Sequence, residues 1–282
     1  MPVLNRSETT VQFACAGDWL MGVAHGPAIP CRRGMVIITG GPQYRVGSHR
    51  QFTLLARKLA AQNFAVLRFD YRGMGDSEGE PRSFERVDSD IRAAVDALIA
   101  QAPALKEVVL WGLCDAASAA MFYAYQDSRV TGMVLLNPWV RSESGIAGAY
   151  LKHYYGKRFF DRELWRKIFR GEFKASEAIT SFFDMLRARF GGGESSGATP
   201  PFTKRMLQGL QRFRGRVLLI LSGNDLTAAE FNDLVAKSRE WRDLLHAPRV
   251  TRRELIEANH TFAREEWRAQ VEDWTLEWMQ SW

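Results

Sequence analysis

Along the chain, short apolar runs give way repeatedly to longer amphipathic stretches. Runs rich in branched residues fall at residues 11–15, 19–24, 35–39, 65–70, 107–112, 132–137, 217–222 and 253–258. Most are bounded by Gly, Pro, Asn or Asp, which is the pattern of buried strands. The first two lie close enough together to form a hairpin. Helical periodicity appears at 50–62, 84–100, 115–126, 228–245 and 264–280. Strand and helix alternate, and this predicts an α/β fold. The expected architecture is a mostly parallel sheet of about eight strands with helices on both faces.

Residues 142–214 break the rhythm. They are helical in pattern, aromatic and basic, and they contain GGGESSGATPP at 191–201, the most loop-like run in the chain. The expectation is a helical cap over 142–214, inserted into a core made of 1–141 and 215–282. Near the end of the chain, Trp267, Val271, Trp274 and Trp278 share one face of the last helix. Packing against the sheet is the expected role of that face, with contact to a membrane surface as the alternative.

Composition narrows the class. The chain has 282 residues, 46% of them hydrophobic, enough to bury a full core. No apolar run has the length of a transmembrane segment, and MPVLNRSETT lacks the apolar region of a signal peptide, so a cytoplasmic protein is expected. Cys15, Cys31 and Cys114 are too few for a disulfide framework. No CxxC or paired-His spacing marks a metal site, and no cofactor is expected.

The formal charge is +6, unevenly placed, with 15 Lys/Arg against 7 Asp/Glu between Arg141 and Arg214. Lys152, Lys157, Arg158, Arg166 and Lys167 in that segment would steer an anionic acyl substrate, such as acyl-CoA or an acyl carrier protein. A solvated helix face is the plainer account. No nucleic-acid-binding motif accompanies the charge.

The chemistry begins at VVLWGLCDAASAAMF, residues 108–122. Gly112-Leu113-Cys114-Asp115-Ala116 has the form glycine, any, nucleophile, any, small. That form belongs to a nucleophile elbow, a sharp strand-to-helix turn whose small neighbours let strand and helix backbones approach. Ala116 stands where glycine is usual. The helix N-terminus favours an anionic sulfur. The alternative is that Cys114 is a small buried hydrophobe.

A thiol nucleophile needs a base, and the base needs an orienting carboxylate. One late strand ends in LLILSGND with Asp225 on the following turn, and the next ends in LIEANH with His260. Both sit where ligands bind in open α/β sheets, at the C-terminal edge. The order nucleophile, acid, histidine suits this architecture. The plain alternatives are a turn-stabilising role for Asp225 and a loop or helix-capping role for His260.

An oxyanion hole would take one N–H from Asp115 and a second from the loop after the third strand, Thr39-Gly40-Gly41-Pro42-Gln43. Pro42 has no N–H, so Gln43 or Gly41 is the expected donor. Arg45 and His49 follow this loop as candidate substrate contacts, with helix entry or loop hydrogen bonding as the simpler account. No phosphate-binding glycine motif is present.

Together these residues resemble the α/β-hydrolase superfamily, as does DYRGMGDS at 70–77, similar to the D-x-R-G-x-G-x-S turn many members carry after the fourth strand. GGPQYRVGSHRQF at 40–52, the WGLCDAASA elbow and SGNDLTAAEF at 222–231 resemble the hydrolases of the exosortase A system, type 1. That resemblance implies an enzyme of exopolysaccharide metabolism, with Cys114 as nucleophile, Asp225 as acid, His260 as base and the 40–43 loop at the oxyanion. Most superfamily members have serine where this chain has Cys114. In using cysteine it resembles dienelactone hydrolases and polyhydroxyalkanoate synthases.

A thiol lies far closer to ionising at neutral pH than a hydroxyl does, and its acyl-enzyme is a thioester, which passes acyl groups to water, alcohols, amines or thiols. The expectation is a hydrolase of acyl esters or thioesters, or an acyltransferase with the same nucleophile. The rival is a catalytically silent hydrolase fold that binds a partner. A dehalogenase or epoxide hydrolase needs a carboxylate at the elbow tip, and Asp115 is one position too late.

Overall fold

A computed structural model of the chain describes residues 8–27, 29–41, 43–140 and 202–282. Eight strands form one sheet: β1 (Glu8–Cys15), β2 (Asp18–His25), β3 (Arg33–Ile38), β4 (Ala65–Phe69), β5 (Glu107–Leu113), β6 (Val130–Leu136), β7 (Arg216–Ser222) and β8 (Val250–Leu255). Their spatial order is β1-β2-β4-β3-β5-β6-β7-β8. The expected hairpin is present, with Cys15 opposite Asp18 at its turn. β2 also runs antiparallel to β4, and every later pair is parallel.

The helices are α1 (Gln51–Ala61), α2 (Asp88–Gln101), α3 (Asp115–Tyr123), α4 (Phe202–Arg212), α5 (Leu226–Lys237), α6 (Arg239–Leu245) and α7 (Glu265–Gln280). Strand periodicity sorts the core into two layers. Val36 and Ile38 of β3 join Ile91, Ala119, Met206, Phe231 and Trp241 from α2, α3, α4, α5 and α6. Met35 and Ile37 join Phe52, Leu55 and Leu59 of α1 and Val271, Trp278 and Met279 of α7. Each fully buried aliphatic or aromatic side chain contributes roughly 1.5–3 kcal/mol relative to leaving it in water. Trp267 and Trp274 pack against this second layer, the role expected of the last helix's aromatic face.

Three boundaries differ from the sequence pattern. β8 lies at Val250–Leu255, three residues before the expected 253–258. It is an edge strand, and Arg252, Arg253 and Glu254 are exposed, so its polar register conceals it. The helix expected at 228–245 is two helices, divided where Ser238 turns extended and its hydroxyl accepts the Trp241 N–H. Residues 202–212, expected as the end of the cap, form α4, whose Gly209 packs directly on the backbone of Met121 in α3. Residues 142–201 of the expected insertion, including Lys152, Lys157, Arg158, Arg166 and Lys167, lie outside the described residues. None of the helices among the described residues is long and apolar enough to cross a membrane.

Candidate active site

Cys114 sits between β5 and α3 at φ 64°, ψ −123°, a region a residue with a side chain rarely occupies. Four backbone bonds hold it there. Its N–H donates to Leu136 O at 2.9 Å, and its own carbonyl accepts from Ala117 N–H at 3.1 Å, from Ser118 N–H at 3.3 Å and from Trp139 N–H at 3.2 Å. The turn is tight because Gly112 has no side chain. A Cβ there would lie 2.5 Å from the carbonyl carbon of Ala116. The half-buried thiol therefore stands at the first turn of α3, beside amides that have no partner within the helix.

The loop after β3 crosses that helix N-terminus. A Cβ on Gly40 would come within 2.2 Å of Asp115 Oδ1, so only glycine permits this approach. Gly41, at φ +55°, donates its N–H to Asp115 Oδ2 at 2.8 Å, and Ala116 N–H donates to Asp115 Oδ1 at 2.9 Å. Gln43, the other donor expected from the sequence, is committed elsewhere. Its N–H closes a turn onto Gly40 O at 3.2 Å, and its side-chain amide donates to Ser48 Oγ at 2.9 Å. Gly41 is the loop amide that reaches the elbow.

Arg45 is committed too. Its backbone N–H donates to Asp70 Oδ1 at 2.6 Å, and its guanidinium pairs with Asp70 and Asp76. This is the physical role of the DYRGMGDS turn. Asp70, buried to 0% exposure, anchors the loop from below, while Arg72 makes a two-pronged pair with Asp90 and Ser77 bridges Met21 N–H to Asp70 O. Burial pushes the Asp70 carboxyl above its ordinary value, against the pull of Arg45. Arg45 thus serves the loop's hydrogen bonding, the simpler of its two expected roles. His49, at φ 54°, lies exposed at the entry to α1.

Across the same edge, Asp225 caps α5. Its Oδ1 accepts Thr227 N–H at 3.2 Å and its Oδ2 accepts Ala228 N–H at 3.1 Å. The same Oδ2 lies 2.9 Å from His260 Nδ1. The carboxylate is therefore both a turn-stabilising cap and the partner of the imidazole. Its side chain is 6% exposed and that of His260 is 35% exposed, so the carboxylate is buried and the imidazole half-buried.

Asn137, just past β6, ties the two halves together. Its Nδ2 donates to Ser222 Oγ at 2.7 Å and to His260 O at 3.2 Å, and its Oδ1 accepts Ser222 N–H at 2.9 Å. Its neighbours Leu136 and Trp139 hold the backbone of Cys114. One fully buried asparagine at φ 43° thus joins the end of β7, the histidine loop and, through the chain, the elbow. Sequence reasoning missed it. The only available signal was an apolar strand ending in Asn-Pro-Trp, which reads equally well as a turn.

Eight mostly parallel strands, a cysteine at the elbow after β5, and Asp225 and His260 on the turns after β7 and β8 define a class of α/β protein. The family model described as "Alpha/beta hydrolase family" matches residues 25–274, and the chain belongs to that family. The esterase Pf2001 of Pyrococcus furiosus has the same fold, with a TM-score of 0.69 at 17% identity over 99% of this chain and 92% of that one. So does Atu1826 of Agrobacterium tumefaciens, a putative α/β hydrolase, with a TM-score of 0.61 at 18% identity over 96% and 97%. Among curated proteins, quorum-quenching protein AidA of Acinetobacter baumannii is 32% identical over 97 residues, 32% of this chain and 31% of that protein. The chain thus spans about a third of the length of that relative.

Proposed function

We propose that the protein is a hydrolase of acyl esters or thioesters that works through an acyl-Cys114 intermediate. One observation carries the reading. A cysteine held at φ 64° on an elbow shares a sheet edge with an imidazole whose Nδ1 is 2.9 Å from a helix-capping carboxylate. In this reading Nδ1 donates to Asp225, which leaves Nε2 as the base.

The steps follow. His260 takes the Cys114 proton, and sulfur attacks the acyl carbonyl carbon. A C–S bond forms, and the carbonyl electron pair moves to oxygen, where Asp115 N–H and Gly41 N–H are the donors this fold offers. Collapse of the tetrahedral intermediate expels the alcohol or thiol, which leaves with the proton from His260. Water, activated by the same imidazole, then cleaves the thioester. An alcohol, amine or thiol in place of water makes the enzyme an acyltransferase.

The likeness of the 40–52, elbow and 222–231 segments to the exosortase-associated hydrolases supports a substrate from exopolysaccharide metabolism. The basic residues between 141 and 214 favour an anionic acyl carrier such as acyl-CoA. A silent, partner-binding fold has one observation on its side, because Gly41 N–H is already bonded to Asp115. A panel of acyl thioesters, activated esters and lactones separates the readings. Turnover that disappears in Cys114→Ser and His260→Ala is expected. Turnover that survives both substitutions, or none with any substrate, contradicts the proposal.

A further inference from the structure

The steps above use the backbone of Asp115 and leave its side chain without a task. The residue is only 5% exposed, and the two side-chain oxygens take two amides, Ala116 N–H at 2.9 Å and Gly41 N–H at 2.8 Å. The second bond has consequences. A developing oxyanion needs N–H donors about 2.7–3.1 Å away. The carboxylate oxygen already occupies that distance from Gly41 N–H, and the other expected loop donor, Gln43 N–H, is spent on Gly40 O. Gly40 lies against Oδ1 so closely that no side chain fits between loop and carboxylate.

We propose that the Asp115 carboxylate is an internal stand-in for the oxyanion: it holds the loop after β3 in place through Gly41 N–H, and a substrate carbonyl oxygen gains that N–H only by displacing it. Asp115 is then a positioning residue whose charge opposes the reaction it prepares. A loop containing Gly40 and Gly41 has many conformations to lose, and an anchored amide removes them in advance. The cost is a second negative charge beside the one that forms in the transition state. The inference takes its catalytic meaning from the acyl-enzyme reading, while the bond itself stands apart from it.

Titration makes the bond observable. Burial pushes the Asp115 carboxyl up to about 6, against the pull of the Gly41 and Ala116 amides and of the His260 charge. Its titratable neighbours are Cys114, next in sequence, and His260 on the loop after β8. The cation of the oxyanion loop, Arg45, is held by Asp70 and Asp76. Loss of the Asp115 charge replaces a charge-assisted bond with a weaker neutral one.

The test is the Gly41 amide in a ¹H–¹⁵N spectrum of the full chain, followed from pH 4.5 to 8. The amide proton is expected to move downfield as the carboxylate forms, with a midpoint near 6. That titration is expected to persist in His260→Ala and to vanish in Asp115→Asn. A Gly41 amide that does not titrate, or one whose titration survives Asp115→Asn, overturns the bond. With an acyl thioester at neutral pH, kcat/KM of Asp115→Asn is expected to rise by about fivefold, since a neutral acceptor is easier to displace than a charged one. A fall in kcat/KM overturns the displacement. If no acyl substrate is turned over by any form, the acyl reading fails, and the Gly41 titration still decides the bond.

Discussion

Two aspartates stand at two helix N-termini on one edge of the sheet, and the chain uses them differently. Asp225 precedes α5 and accepts two amides of that helix, leaving one face of Oδ2 for His260 at 2.9 Å. Asp115 is the first residue of α3, accepts one amide of its own helix and spends its other oxygen on Gly41, across the site. The first bonds an imidazole, and in the proposed reaction it stabilises the positive charge that grows there. The second serves a loop amide that chemistry would assign to a growing negative charge. A carboxylate at a helix start is thus neither helpful nor harmful in itself. Its effect depends on the sign of the charge that develops opposite it.

The largest expected effect comes from breaking the first of these arrangements. Asp225→Asn keeps an oxygen for the helix amides but misdirects the imidazole, and kcat is expected to fall by about 10³–10⁴-fold. Asp225→Ala should lose the same activity and, with the cap gone, about 1 kcal/mol of stability as well. Steady-state kinetics and thermal melts on both variants separate the two duties. If Asp225→Asn matches wild type in kcat, the pairing with His260 has no catalytic role. Asp115→Asn is the opposite case, with the smaller and positive change in kcat/KM given above. Should the two variants exchange signs, the comparison collapses.

Stability against pH sharpens the contrast at smaller amplitude. The Asp115 carboxyl rises from an ordinary 3.8 to about 6 in the folded chain. Between these values the native state holds a proton that the unfolded chain has released. The contribution of this group to stability therefore falls as pH rises from about 4 through about 6 and stays low above that. The ionised form is held at a cost of roughly 3 kcal/mol. Denaturant melts across this window should show wild type losing stability relative to Asp115→Asn as pH rises. Parallel curves for the two proteins would mean that the carboxyl is not perturbed.

Much of this was legible in the sequence. Eight strands, their hairpin start and the elbow follow from apolar runs bounded by breakers, because burial on both faces demands them. Asp225 and His260 were legible as a pair because each lies on the turn after a strand, within a few residues of its end. β8 was misplaced because an edge strand carries Arg252, Arg253 and Glu254, so burial does not mark it. Gln43 and Gly41 could not be told apart because the turn that consumes the Gln43 amide depends on loop geometry, which no residue pattern encodes. Asn137 and the Asp115 side chain were missed for a related reason. Their partners are Ser222 and His260 in one case and Gly41 in the other, all distant in the chain and brought near only by the folded sheet.

The central claim is an acyl group carried on one sulfur. The most direct measurement is intact mass spectrometry of the protein, quenched in acid within seconds of mixing with an acyl thioester, followed by peptide mapping. The account predicts one added acyl mass on the peptide containing Cys114, removable by hydroxylamine and absent from Cys114→Ala. An acyl adduct that persists in Cys114→Ala, or turnover of the thioester with no adduct on Cys114 in a variant slowed at deacylation, would contradict it.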